Sequence, residues 1–314
     1  MTAVIFMTLR RCPFALPLVL SALTLGRALP AEAEDAIAAR VDGAAVSRAD
    51  VELEFRRAFG ERELSDEQRK AAWQATVEQV IDRRLVLRYL ERSKQAASGQ
   101  DVDFAVTQLE KVLAAQQLTL EQHLAQAKLS LEELRGALAW KLSWNKYLER
   151  YLTEENLQKY FDQHRREFDG TQLRVAHILW KLPAEADEAS IQAAMEKAAA
   201  LQAEIAAGKF TFADVAQAHS QAPTAKAGGD IGWIERHQPM PEAFSQAAFA
   251  LDKLQVSAPV RTVAGIHLIS VAEIKPGTKT AQDVAAELRP AVTLYLFRWI
   301  ADRERAKAKI EYVD

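Results

Sequence analysis

Cysteine is almost absent from this sequence, and positive charge is not in excess. The one Cys among 314 residues excludes an internal disulfide, a thiol pair and a cysteine-rich zinc site. Lys and Arg total 40 against 43 Asp and Glu, and this balance argues against a general nucleic-acid binder, which would normally be basic. With 12 Gly and 10 Pro, the chain is neither collagen-like nor of low complexity.

Metal-binding and nucleotide-binding spacings are missing as well. The six His form no HxxxH or HExxH pair, and no P-loop, GxGxxG motif or nucleophile elbow occurs. We therefore expect neither a metal ion nor a cofactor. What the sequence does contain is 49% hydrophobic and 26% charged residues in a length of 314, which is enough for about two globular domains.

The first 33 residues have the pattern of a secretory signal peptide. Arg10 and Arg11 precede an apolar run over residues 13–25, and small residues follow at Ala31 and Ala33. The run is short for a membrane span, which needs about 20 residues. We expect cleavage after Ala31 or Ala33 and an exported protein of the periplasm or cell envelope, without a stable span; the alternative is a retained N-terminal anchor.

Residues 47–167 predict almost only helices. Two capping boxes, Ser65 with Gln68 and Ser130 with Glu133, mark the starts of long ones. Another helix is expected to open at Asp101.

Two short alternating segments, residues 36–46 and 309–313, predict strands that pair with each other, because neither is stable alone. Between them, aromatic residues recur at helical spacing. One stripe runs from Trp140 to Tyr151, and a second contains Val292, Tyr295 and Trp299. We interpret the two stripes as one shared core; the alternative is an aromatic groove for unfolded polypeptides.

After residue 167 the pattern changes to alternating strands and helices. Strands are predicted at 173–180, 256–262 and 266–273, helices at 190–207, 212–219 and 242–251, and a turn-rich loop at 223–241. This order predicts a small α+β domain. A last helix is expected from Thr280 towards Lys307, kinked or started at Pro290.

Four segments of this second half occur in a specific order. They are RVAHILW (174–180), AKAGGDIGW (225–233), MPEAFSQAAFAL (240–251) and AGIHLISV (264–271). Together they resemble the parvulin family of peptidyl-prolyl cis-trans isomerases. With the signal peptide, the helical region and the final helix, the chain looks like the exported SurA/PrsA-like chaperones.

The resemblance implies an α+β fold class, in which a helical N-terminal chaperone domain is completed by a C-terminal helix and carries one inserted parvulin-like domain. The expected boundaries are a signal peptide at 1–33, the helical domain at 34–168, the parvulin-like domain at 169–276 and the C-terminal helix and strand at 277–314. The implied activity is prolyl isomerisation with chaperone activity, and the implied partners are unfolded or proline-containing polypeptides.

The family pattern also implies site residues. Ile231, Met240 and Phe244 correspond to the pocket that holds the proline ring. His177 and His267 correspond to two histidines on adjacent strands beneath that pocket.

Thr262 corresponds to the hydroxyl that joins the hydrogen-bond network of these histidines. The chain departs from the pattern in the loop before the GGD motif, where active parvulins carry Cys or Asp. Ala222 occupies that position, and Gln221 is the nearest polar residue.

Three functions are therefore open. The first is an active isomerase with chaperone activity. The second is a non-catalytic peptide-binding chaperone, which Ala222 favours. The third is a dedicated partner of one secretion or polysaccharide-assembly system.

Overall fold

The computed structural model describes residues 37–60, 62–127, 129–183 and 186–313. The expected signal peptide lies outside these residues. Among the residues described, no helix combines the length and the apolar character needed to cross a membrane.

After an initial pair of short strands, the first part of the chain is helical and the second part mixes strands with helices. The elements of the first part are β1 (Ile37–Val41), β2 (Ala44–Ser47), α1 (Arg48–Phe59), α2 (Asp66–Arg92), α3 (Gly99–Ala115), α4 (Leu120–Ala127), α5 (Leu131–Tyr151) and α6 (Glu154–Gln163). Those of the second part are α7 (Arg165–Phe168), β3 (Gln172–Lys181), α8 (Glu188–Ala206), α9 (Phe212–His219), β4 (Asp230–Glu235), α10 (Glu242–Phe249), β5 (Val260–Thr262), β6 (Gly265–Lys275), α11 (Ala285–Arg305) and β7 (Ile310–Tyr312). The fold is α+β, which confirms the predicted class.

The described chain divides into two compact units. The helical unit comprises residues 37–156 and 290–313, and the mixed unit comprises residues 157–289. The chain therefore leaves the helical unit, builds the mixed unit and returns.

The helical unit contains a three-stranded sheet in the order β2-β1-β7. Strand β7 pairs antiparallel with β1, Ala39 lying opposite Tyr312 and Val41 opposite Ile310, so the expected pairing of the two ends is confirmed. The capping boxes at Ser65 and at Ser130 are also confirmed.

The prediction that Asp101 opens a helix was wrong by three residues. Ser98 is the N-cap of α3, and Asp101 is the third helical residue, whose carboxylate accepts hydrogen bonds from the backbone N–H and the hydroxyl of Ser98.

Aromatic packing in the helical unit joins α5 to α11. Trp140 and Trp144 lie in one buried cluster with Ile300, and the ring of Phe297 meets both indoles edge-on at 6.1 and 5.8 Å. The predicted second stripe was partly wrong: Val292 is buried, but Tyr295 and Trp299 are 47% and 42% exposed. The buried face of α11 instead includes Phe297, Ile300 and the small Ala301, so aromatic residues alone were a poor guide to it.

The mixed unit is built on a four-stranded antiparallel sheet in the order β4-β3-β6-β5. Phe244 and Ala248 of α10 pack on one side of the sheet with Leu173 and Ile269. Residues of α8 and α9 pack on the other side with Ile178.

Strand β4 lies inside residues 223–241, which were expected to form a loop. Likewise, only the last three residues of the predicted strand 256–262 are a strand, while Val256 makes a single bridge to Ser270.

The segment just before β3 and the segment just after β6 touch each other. The backbone N–H of Lys279 donates to the carbonyl of Asp169 over 3.0 Å, and the N–H of Gly277 donates to Oγ1 of Thr171 over 3.0 Å. A Cβ at Gly277 would collide with the carbonyl of Asp169, so only glycine permits this close crossing.

Candidate functional site

Two histidines face each other across the central strands of the mixed unit. His177 lies on β3 and His267 on β6, and the register places Leu179 opposite His267, so the two imidazoles lie diagonally on the same side of the sheet. The rings are stacked with centroids 5.4 Å apart, and their Nδ1 atoms are 3.2 Å apart. The sheet therefore brings together residues that are 90 positions apart in the sequence.

Thr262 extends this pair into a chain of three polar groups. Its Oγ1 lies 2.8 Å from Nε2 of His267 and accepts the backbone N–H of Ala264 over 3.1 Å. Both nitrogens of His267 thus have a polar partner, as buried polar atoms generally do.

Burial keeps this histidine pair uncharged at neutral pH. Burial, followed by the proximity of His177, lowers the pKa of His267 from 6.5 to about 4. Burial also lowers the pKa of His177. A neutral imidazole has one N–H and one acceptor nitrogen, so an Nδ1–H on either ring can donate to Nδ1 of the other, and the three groups can then form a continuous hydrogen-bond chain.

An apolar wall covers the histidines. Phe244 on α10 is fully buried, and its ring meets His177 and His267 edge-on at centroid distances of 5.8 and 5.5 Å. Ile231 and Met240 are partly buried and pack against the cluster that contains Phe244. The three proposed pocket residues therefore border the same apolar cluster.

Gly229 sets the position of the first histidine. The backbone N–H of His177 donates to the carbonyl of Gly229 over 2.9 Å, and φ of Gly229 is +83°. A Cβ at this position would collide with the carbonyl of His177. The second glycine of the GGD motif is therefore required by its backbone conformation and by the close approach of β3.

The loop that departs from the family pattern is bound firmly to β3. The side-chain Oε1 of Gln221 accepts the N–H of Lys181 over 2.6 Å, and the backbone N–H of Gln221 donates to the carbonyl of Leu179 over 2.8 Å. Ala222 is only 6% exposed and presents a methyl group where the pattern has an acid or a thiol. Of these two residues, Gln221 has a structural role in the described structure, and Ala222 contributes no polar group.

Sequence reasoning missed two serines beside the site. Oγ of Ser220 accepts the N–H of Leu179 over 3.1 Å and that of Ala222 over 3.2 Å. Ser257 is buried, and its Oγ accepts the N–H of Ile269 over 3.0 Å. No sequence pattern distinguishes these hydroxyls from other serines, since their partners are backbone amides of distant strands.

The sequence around this site is similar to known proteins. Residues 177–273 match the rotamase family model, described as a PPIC-type PPIASE domain. The chain is 26% identical to the chaperone SurA of Saccharophagus degradans over 242 residues, which are 75% of this chain and 55% of that relative. It is 37% identical to the chaperone SurA of Polaromonas sp. over 113 residues, which are 36% of this chain and 23% of that relative.

A solved structure of the peptidylprolyl isomerase PrsA from Bacillus anthracis matches with 20% identity and a TM-score of 0.34, covering 74% of this chain and 96% of that one. The part of this chain that matches SurA of Saccharophagus degradans covers about half the length of that relative.

Proposed function

We propose, from the premise that residues 177–273 belong to the PPIC-type parvulin family in a chain similar to SurA, that this protein is an exported folding factor. In this proposal it catalyses cis-trans isomerisation of prolyl bonds and binds unfolded polypeptide clients in the periplasm or cell envelope. The observation that carries the catalytic part is the hydrogen-bonded chain of His177, His267 and Thr262 beneath the buried ring of Phe244.

The chemistry requires no covalent bond to the substrate. A prolyl bond rotates slowly because the twisted amide loses its resonance, a barrier of about 18–20 kcal/mol. A site accelerates the rotation if it binds the twisted amide more tightly than either planar isomer.

In this site Ile231, Met240 and Phe244 would hold the proline ring and exclude water, which disfavours the charge-separated planar amide. The neutral histidine chain would give the pocket a rigid floor, because each of its three side chains is fixed by the next.

A second function has one specific observation in its favour. Because Ala222 offers neither acid nor thiol to the substrate, the module could bind peptide without turnover, as a non-catalytic chaperone. Ala222→Asp distinguishes the two functions, and Ala222→Ser is a matched control that adds a polar group without charge.

The experiment measures isomerisation of a short proline peptide by NMR exchange spectroscopy, together with the Kd of that peptide. We expect measurable but modest turnover in the wild type and a higher rate in Ala222→Asp, provided that the thermal midpoint stays close to wild type. Peptide binding without turnover in both proteins would favour the non-catalytic chaperone.

Export is tested separately. We expect the protein in the envelope fraction and the mature chain to begin after Ala31 or Ala33, as read by N-terminal sequencing. A chain recovered with residues 1–31 intact would contradict signal cleavage.

A further inference from the structure

A buried arginine lies where β4 ends and the apolar wall begins. Only 9% of the side chain of Arg236 is exposed. Its Nη1 and Nη2 donate to the two carboxylate oxygens of Glu242 over 2.9 and 2.8 Å. This is the bidentate geometry that gives an arginine–carboxylate pair both strength and a fixed orientation.

Glu242 is the first residue of α10, between two residues of the proposed pocket. Met240 lies two positions before it and Phe244 two positions after it. The bidentate pair therefore spans the loop that joins β4, which carries Ile231, to the helix that carries Phe244.

The same arginine also binds α7, the short helix before β3. Its Nε donates to Oε2 of Glu167 over 3.3 Å, and Oε1 of Glu167 lies 2.9 Å from Nδ1 of His164. The neighbouring Arg166 donates to the carbonyl of Leu251, just beyond the other end of α10, over 3.0 Å. Two consecutive residues of α7 thus connect to the two ends of the helix that carries Phe244: Glu167 through Arg236 to its start, and Arg166 directly to the segment after its end.

The guanidinium remains charged in this buried place. Burial alone would lower the pKa of Arg236, but the hydrogen bonds with Glu242 and Glu167 outweigh burial and raise it. Removing one partner of such a pair leaves an uncompensated charge and is strongly destabilising. A purely structural ion pair would therefore affect folding, and a test must separate folding from pocket geometry.

We propose that Arg236 is a positioning residue of the prolyl pocket, which holds the start of α10 on α7 and so sets Met240 and Phe244 relative to Ile231 and the histidine pair. The proposal rests on the isomerase function proposed above. It does not require Arg236 to touch substrate. Its physical basis is that displacement of reacting groups by about 1 Å can lower a rate by about a hundredfold.

The test uses the full chain with Arg236→Met, which keeps much of the length but removes every donor, and Arg236→Lys, which keeps the charge but not the bidentate fork. Arg174→Met is the matched control, because Arg174 also bridges two carboxylates, Asp230 and Glu273, but is 44% exposed. Glu242→Gln is a milder variant that serves if Arg236→Met does not fold.

At a temperature well below unfolding, we expect kcat/KM to fall by about tenfold in Arg236→Met, by less in Arg236→Lys, and not at all in Arg174→Met. NMR contacts between the Phe244 ring and the imidazole of His267 should weaken in parallel. A folded Arg236→Met or Glu242→Gln with wild-type kcat/KM, peptide Kd and Phe244–His267 contacts would overturn the proposal.

If the wild type itself shows no turnover, the isomerase function fails. The NMR contacts and the peptide Kd then still decide whether Arg236 positions the pocket: unchanged values overturn the positioning role, and weakened ones support it.

Discussion

Acidification should destabilise the mixed unit through its buried histidine pair. His267 keeps a pKa of about 4 in the folded protein, whereas an unfolded histidine titrates near its ordinary value of 6.5. Between these two values the unfolded state binds a proton that the folded state refuses. The contribution of His267 to the free energy of unfolding is therefore fully present above about pH 6.5, and it is lost as the pH decreases towards 4.

The expected size follows from the two pKa values of His267. Between pH 7 and pH 5 the unfolded chain gains about 0.7 proton at this residue, while the folded chain gains about 0.1. The free energy of unfolding should therefore decrease by about 2 kcal/mol over this interval. Because burial also lowers the pKa of His177, that residue changes stability in the same direction.

Urea unfolding at pH 7 and pH 5, followed by methyl NMR signals of the mixed unit, measures this difference. His267→Asn is the matched comparison, because it keeps a polar side chain but removes the titrating group, and its stability should change less with pH. An NMR titration in which the His267 imidazole of the folded protein protonates with a midpoint near 6.5 would refute the reasoning.

Four further predictions concern packing and strand pairing. Phe244→Leu should weaken peptide binding and cost about 1 kcal/mol of stability, because it removes ring area from a fully buried wall, and peptide titration and thermal melts measure both. Gly229→Ala should destabilise the mixed unit by more than about 2 kcal/mol, since the new methyl group meets the carbonyl of His177; an unchanged thermal midpoint would contradict this. Deleting residues 290–313 should expose Trp144 and shift its fluorescence to longer wavelength, whereas a melt like that of the full chain would contradict a shared core. In the full chain, the amide of Val313 should exchange slowly, because it donates to the carbonyl of Ala38 over 3.2 Å.

The helix starts were readable because they depend on local chemistry. A Ser that caps a helix and a Gln or Glu three residues later act within one turn, so Ser65 and Ser130 could be identified without tertiary information. The side-by-side placement of His177 and His267 came from the family resemblance, and no periodicity in the sequence would have given their register.

The features that could not be predicted from the sequence depend on contacts between residues far apart in the chain. Strand β4 is short and contains Gly232, a residue typical of turns, which here has φ of +78°. Only the pairing of this segment with β3 makes it a strand. No sequence pattern marks Arg236 as buried, because its burial becomes visible only when β4 and α10 are placed together. The exposure of Trp299 could not be foreseen either, since a helical stripe does not show which of two adjacent faces is buried.

The pairing of β1 with β7 also has a consequence for the order of folding during synthesis. Asp42 and Lys309 touch although 267 positions separate them. The mixed unit, residues 157–289, emerges completely before β7 exists, so it can fold while β1 still lacks its second neighbour. Contacts between such distant segments form slowly, because the intervening loop must close first. Until β7 pairs, one edge of β1 stays exposed and can pair with a strand of another chain. Pairing of β7 therefore removes this opportunity for aggregation of the nascent chain.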